Sequence, residues 1–300
     1  MEDYGFLSQL VQYILTGITL GSIYAIVGVG FNIIYNATEI INFAQGEFVM
    51  LGGLVMITLV NFAHLPMPLA FLLTVIIVSL VGLLIERLAI FPLKESSVLR
   101  LVIITIALSI LIKGLAMFTW GKQSFALRSF SGDTPIPFLG ASVIPQTLWI
   151  IGITVVLVIL LSIFFSRTII GKAMSACADN PEAASLVGIN TQRMVMLAFM
   201  LSAALGAVAG MIITPVALME YDRGALLALK GFGACILGGL GNFYGAVVAG
   251  IILGLIESLG AGLISSGYKD AMALAVLLLV LFIKPSGLFG SAEVSKLKKF

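Results

Sequence analysis

Charge is scarce in this chain. Of its 300 residues, 10% are charged and 60% are hydrophobic, where a soluble domain carries about 25% charged residues. With a mean hydropathy of +1.18, a water-soluble fold is excluded for most of the chain. The formal net charge of +2 is too small for a nucleic-acid partner. Histidine is nearly absent. The single one, His64, excludes an H-E-x-x-H metalloprotease site and sits beside a short Pro-containing loop as a solvated interfacial residue. The two cysteines, Cys177 and Cys235, fall in different segments, so neither a disulfide framework nor a cysteine metal site is indicated. A phosphate cradle is also missing. Gly121-Lys122 is followed by Gln123, and Gly171-Lys172 by Ala173, so neither completes G-x-x-x-x-G-K-[ST]. There is no regular arginine repeat of a voltage sensor and no T-V-G-Y-G filter. The N-terminus, MEDYG, lacks a basic n-region, so residues 7–35 are expected to be a retained span rather than a cleaved signal. An enzyme reading is weak, and no cofactor or metal is expected on this chain.

Long apolar runs are abundant. They fall at about 8–35, 47–63, 68–90, 98–119, 147–166, 194–218, 229–262 and 268–284. Each reaches or approaches the ~20 residues that a helix needs to cross a bilayer. The fold class predicted is all-α: a polytopic membrane helical bundle of about eight or nine spans, one membrane domain over residues 1–300.

The segment 167–193, RTIIGKAMSACADNPEAASLVGINTQR, is longer and more polar than a turn between spans requires. It encodes a small helix with its own signals. Asn180 is a good N-cap, Pro181 suits the first helical position, and Glu182 suits the positive end of the dipole. Ala183, Ala184, Ser185, Leu186 and Val187 continue it, and Gly188 supplies a left-handed C-cap. A capped helix outside the membrane can bind another protein and transmit force.

Basic residues orient the spans. The segments 86–100, 167–193 and the tail from Lys284 hold Arg87, Lys94, Arg100, Arg167, Lys172, Arg193, Lys284, Lys296, Lys298 and Lys299, ten in all. The opposite set is the five residues Lys122, Arg128, Arg223, Lys230 and Lys269. This asymmetry predicts a cytoplasmic capped helix and C-terminus, with the acidic N-terminus outside. Parity then requires an odd number of crossings after the sixth span, so 229–262 must cross twice or fold back. Eleven of the 32 glycines lie between Gly224 and Gly262, and irregular backbone at membrane depth needs protein or a water cavity around it. Nine crossings are expected, with a short one at about 229–240.

Gly17-x-x-x-Gly21, Gly206-x-x-x-Gly210 and Gly250-x-x-x-Gly254 permit close helix approach, either inside one bundle or against a second membrane subunit. Ionisable residues at membrane depth are functional candidates. Lys113 lies late in the fourth span and either snorkels to the outer interface or faces a pathway. Glu257 lies in the Gly-rich region, either hydrogen-bonded to a neighbouring helix or meeting substrate. Glu39 and Glu47 bracket IINFAQG, a polar break after the first span, whose Asn42 and Gln45, with Glu47, could face a central pathway. Glu86-Arg87 reads as an interfacial ion pair. The outer loop 120–146, with three prolines, reads as an ordered surface loop.

The stretch GKAMSACADNPEAASLVGINTQR resembles the cytoplasmic coupling segment of branched-chain amino acid ABC transporter permeases. The family pattern falls on Gly171, Lys172, Ala173, Ala176, Ala183, Ala184, Gly188, Ile189 and Asn190. INFAQGEFVMLGG (41–53), ERLAIFPLK (86–94) and KGFGACILGGLGNFYGAVVAGIILG (230–254) agree as well. Met174 stands where the family often has a second basic residue, and 120–146 matches no pattern. The resemblance implies an inner-membrane subunit that forms half of a pore and pairs with a homologous permease, as a homo- or heterodimer within membrane lipid. It further implies two cytoplasmic ATP-binding subunits, which would hold ATP and Mg, and an extracytoplasmic solute-binding protein. Related permeases carry urea, short amides or other amino acids. An ion-coupled secondary transporter, which also uses broken helices and midplane polar residues, is the alternative from another class. A channel is a third, disfavoured without a charged or carbonyl ring.

Overall fold

A computed structural model describes the backbone of residues 2–93 and 96–290, and side chains from residue 5 onward within those ranges. Lys94 and the tail residues Lys296, Lys298 and Lys299, which contribute to the charge asymmetry, lie outside the described residues. The chain is helical nearly throughout. The helices are α1 (Glu2–Thr38), α2 (Gln45–Ile57), α3 (Met67–Ile85), α4 (Val98–Trp120), α5 (Pro145–Arg167), α6 (Ile169–Asp179), α7 (Pro181–Leu186), α8 (Thr191–Ile213), α9 (Arg223–Gly238), α10 (Phe243–Leu263) and α11 (Lys269–Ile283). A π-turn extends α2 over Thr58–Phe62 and another extends α3 over Glu86–Ile90. Within the loop before α5, β1 (Ile136–Phe138) and β2 (Ala141–Val143) form an antiparallel hairpin, so the loop expected to be ordered carries two short strands.

Among the described residues, eight helical stretches are long and apolar enough to cross a membrane. The run expected at 229–262 is two helices, interrupted at 239–242, where Gly239 and Gly241 both have positive φ. The short element begins at Arg223 rather than 229 and has 16 residues. At 1.5 Å per residue it is about 24 Å long, less than the ~30 Å hydrocarbon core.

Backbone proximity divides the chain into two units, with boundaries inside the continuous helices α1, α5 and α9. One unit contains 1–29, 128–154 and 230 onward. In it α10 lies antiparallel against α1. The two glycine pairs expected to permit close approach meet each other. A Cβ added at Gly21 would stand 2.7 Å from the Cα of Ile251, and one at Gly254 would stand 2.3 Å from the backbone nitrogen of Gly21. The other unit contains 30–127 and 155–229. Here α8 packs between α2 and α3, with Gly206 against Phe48 and Gly210 against Val49. All three glycine motifs therefore serve packing within this chain, where small residues let backbones approach and gain dispersion contacts.

Candidate functional site

The segment outside the spans is built by three successive side-chain caps. Thr168 ends α5 and starts α6, its Oγ1 accepting from the Gly171 amide at 2.9 Å. The turn is tight: a Cβ at Gly171 would lie 2.1 Å from the Phe164 carbonyl oxygen, which accounts for glycine there. Asn180 ends α6 and caps α7, with Oδ1 accepting from the Ala183 amide at 2.9 Å. Asn190 caps α8 through the Arg193 amide at 3.0 Å. Gly188 has φ +89°. Its amide donates to the Ser185 carbonyl at 3.0 Å, and the Ile189 amide donates to the Ala184 carbonyl at 3.0 Å. This double closure is the Schellman arrangement, and it places the Gly188 cap where the sequence predicts it.

The amphipathic helix α6 was not resolved as a separate element by the sequence reading. Its Gly171, Met174 and Cys177 are buried, Ala173 and Ala176 are half-buried, and Lys172 is exposed. Met174 thus occupies a core-facing position, a physical reason for an apolar residue there. Burial pushes the Cys177 thiol up from its ordinary range. On α7 the inward residue is Ala184, while Pro181, Glu182 and Ala183 are exposed. Leu186 and Val187 present apolar side chains that are 88% and 77% exposed.

The polar break after α1 folds as a buried turn. Glu39 closes α1 with φ +56°. Asn42 Oδ1 accepts from the Ala44 amide at 3.1 Å, and the Gln45 amide donates to the Asn42 carbonyl at 3.1 Å. Gln45 is fully buried and exchanges bonds with Ser202 on α8. Ser202 Oγ donates to Gln45 Oε1 at 2.6 Å, and Gln45 Nε2 donates to the Ser202 carbonyl at 3.3 Å. Glu47 is 1% exposed. Its Oε1 accepts from Ser109 Oγ of α4 at 2.8 Å. Lys113, half-buried, lies one turn beyond Ser109 and so on the same face of α4. Two buried atoms of this turn, Asn42 Nδ2 and Glu47 Oε2, have no hydrogen-bond partner. Ser109 and Ser202 are contributors that sequence reasoning missed. Their only signal is a small hydroxyl residue inside an otherwise apolar span.

Glu257 belongs to the other unit. It is fully buried and wholly occupied by protein. Lys230 Nζ reaches its Oε1 at 2.7 Å, Lys269 Nζ reaches the same oxygen at 3.1 Å, and the Tyr24 hydroxyl donates to Oε2 at 2.9 Å. Asp270 neutralises the second positive charge, 2.6 Å from Lys230. Lys230 and Lys269, counted in the basic set on the outer side, are therefore committed to this network. The expected Glu86-Arg87 ion pair does not form. Residues adjacent on a helix do not face each other. Glu86 is 2% exposed, with Oε2 unpartnered, whereas Arg87 is exposed over the Phe91 ring at 4.8 Å.

Among the described residues, eight helices long and apolar enough to span a membrane, a buried polar turn between the first two and a capped segment outside them define a multi-pass membrane protein. The chain belongs to the family of permease components of branched-chain amino acid transport systems, whose description matches residues 13–281. It is 35% identical to the high-affinity branched-chain amino acid transport system permease protein LivH of Salmonella typhimurium, over 95% of this chain and 97% of that protein. Identity to the corresponding BraD permease of Pseudomonas aeruginosa is 32%, over 98% of this chain and 99% of that one. A probable branched-chain amino acid permease of Methanocaldococcus jannaschii is 29% identical over 96% of this chain and 95% of its own length.

Proposed function

We propose that this chain is one permease subunit of an ABC importer for branched-chain amino acids. Its partners are a homologous permease, two cytoplasmic ATPases and an extracytoplasmic solute-binding protein. The observation that carries this reading, beyond family membership, is the triple-capped α6–α7 segment with its exposed Leu186 and Val187. Exposed apolar side chains on a capped helix outside the spans favour docking to a protein, and a secondary transporter has no need of such a dock. ATP and Mg belong to the partners, and this chain transports without catalysing a reaction. Co-purification with an ATPase, and leucine uptake by the reconstituted complex in the presence of binding protein, test the reading. A chain that moves leucine alone, driven by an ion gradient, overturns it.

An inner-membrane location with the N-terminus outside and the C-terminus cytoplasmic completes the reading. Its support is the basic asymmetry and the antiparallel pairing of α1 with α10. From an outer N-terminus, α10 ends on the outer side and α11 returns inward, with α9 supplying the short passage. Ser185 is exposed on α7. In a Cys177→Ser, Cys235→Ser background, Ser185→Cys is expected to react with membrane-impermeant thiol reagents only after cells are opened. Labelling of intact cells would reverse the orientation.

The turn at 42–47 lines or gates the pathway, with Lys113 bordering it. A buried polar group without a partner costs about 1–3 kcal/mol, so Asn42 Nδ2 and Glu47 Oε2 are groups that gain a partner in another conformation or with substrate. Glu257, with both oxygens engaged, acts as framework. Asn42→Leu is expected to reduce uptake severalfold while leaving assembly intact, and Gln45→Leu is expected to do the same. Wild-type uptake by both variants removes this turn from the pathway.

A further inference from the structure

A second polar site lies beside the capped segment, in the unit that contains α2 to α4. A cavity of about 340 Å³ opens there, within the range of small-molecule pockets. One wall is the end of the third span, where Glu86 lines the cavity. The residue is 2% exposed, and its buried Oε2 has no partner. Such an oxygen is a strong acceptor in search of a donor. Facing the same space are Thr191 and Gln192, at the first turn of α8. Both are half-buried, and their side chains can donate a hydroxyl and an amide N–H. Ile90, Leu101 and Val195 make the cavity apolar between these polar groups.

The lining thus offers an anionic acceptor, neutral donors and an apolar middle. That complements one kind of molecule: a primary ammonium a few atoms from an anionic oxygen, carried on an apolar body. We propose that this cavity binds such a molecule, with the ammonium on Glu86 and the anionic oxygen on Thr191 and Gln192. A free apolar amino acid and the headgroup of an ethanolamine phospholipid share this chemistry. Pro181 and Cys177 also line the cavity, so an occupant touches the third span, α6 and α7 at once. The lining reaches Ile40 but includes no residue of the turn at 42–47, so its ligand is held whether or not that turn is the pathway.

The full-length protein in nanodiscs tests the proposal, with radiolabelled leucine as one probe and phosphatidylethanolamine as the other. In phosphatidylglycerol discs free of ethanolamine lipid, saturable leucine binding is expected to weaken at least about tenfold in Glu86→Gln, because a charge-assisted bond is lost. Val195→Phe, which adds bulk to the apolar lining, is expected to abolish it. Persistence of this binding in Asn42→Leu separates the cavity from the pathway. If the lipid is the occupant, native mass spectrometry of protein from mixed-lipid discs shows retained phosphatidylethanolamine, lost in the same two cavity variants. Should Glu86→Gln fail to fold, Gln192→Leu carries the same comparison. The proposal is overturned if folded cavity variants bind leucine and retain phosphatidylethanolamine as the wild type does. It is equally overturned if neither probe binds the wild type, or if leucine binding is lost in Asn42→Leu alone.

Discussion

Glu257→Ala is expected to lower the melting temperature of the purified protein more than any substitution in its loops. Glu257 is fully buried and holds two lysines and a tyrosine from α9, α11 and α1. Removing it leaves Lys230, whose side chain is 16% exposed, with Asp270 as its remaining charged partner, and leaves the buried Tyr24 hydroxyl without its acceptor. Deleting one member of a buried ion pair costs about 3–5 kcal/mol, because the other charge stays buried without full compensation. Lys269→Ala is the contrast. That side chain is 39% exposed, water can replace its bond, and the expected loss is below about 1 kcal/mol. Thermal unfolding of the two variants in the same detergent compares them directly. Equal melting temperatures for Glu257→Ala and wild type would mean that the network contributes no net stability.

Gly188→Val is expected to uncouple transport from ATP hydrolysis while leaving the complex assembled. Gly188 sits at φ +89°, and an added Cβ would meet no atom within 4 Å. The substitution introduces no clash, so its effect is confined to the backbone. A β-branched residue at positive φ is a strong outlier, and the strain is about 1–3 kcal/mol. That is enough to unwind the six-residue α7 but too little to unfold a multi-span bundle. Asn180→Ala, which removes the bond to the Ala183 amide, is expected to cost about 0.5–2 kcal/mol at the other end. Gly188→Asn serves as the rescue, since asparagine tolerates the left-handed region. In reconstituted complexes, transport per ATP is expected to fall in Gly188→Val and in Asn180→Ala and to recover in Gly188→Asn. Wild-type transport per ATP from assembled Gly188→Val complexes makes 181–187 a passive loop.

The helix α7 was legible in the sequence because capping is local. Asn180, Pro181 and Gly188 each act on amides or dihedrals within a few residues. The preceding helix α6 carries the same kind of signal in Thr168, whose side chain caps the Gly171 amide three residues on, but no cap was read there and the helix stayed part of the polar segment. Glycine at 171 is required by the approach of the Phe164 carbonyl, which depends on how α5 and α6 fold together. Glu86-Arg87 misled because adjacency in the chain suggests a pair, whereas successive residues on a helix diverge.

By itself, the sequence determined the membrane class, most of the apolar spans and the two caps of α7. These depend on the solvent a segment prefers and on bonds between near neighbours. It also marked Asn42, Gln45, Glu47 and Glu257 as unusual, since polar groups are costly at membrane depth wherever they point. Only the tertiary structure decided what each one meets. Gln45 meets Ser202, 157 positions away, and Glu257 meets Tyr24, 233 positions away. The three glycine motifs were equally silent about their partners, because a missing Cβ permits close approach without specifying by which helix. The choice falls to the packing of the helices, which brings Gly21 to Gly254 and leaves Glu86 lining a cavity.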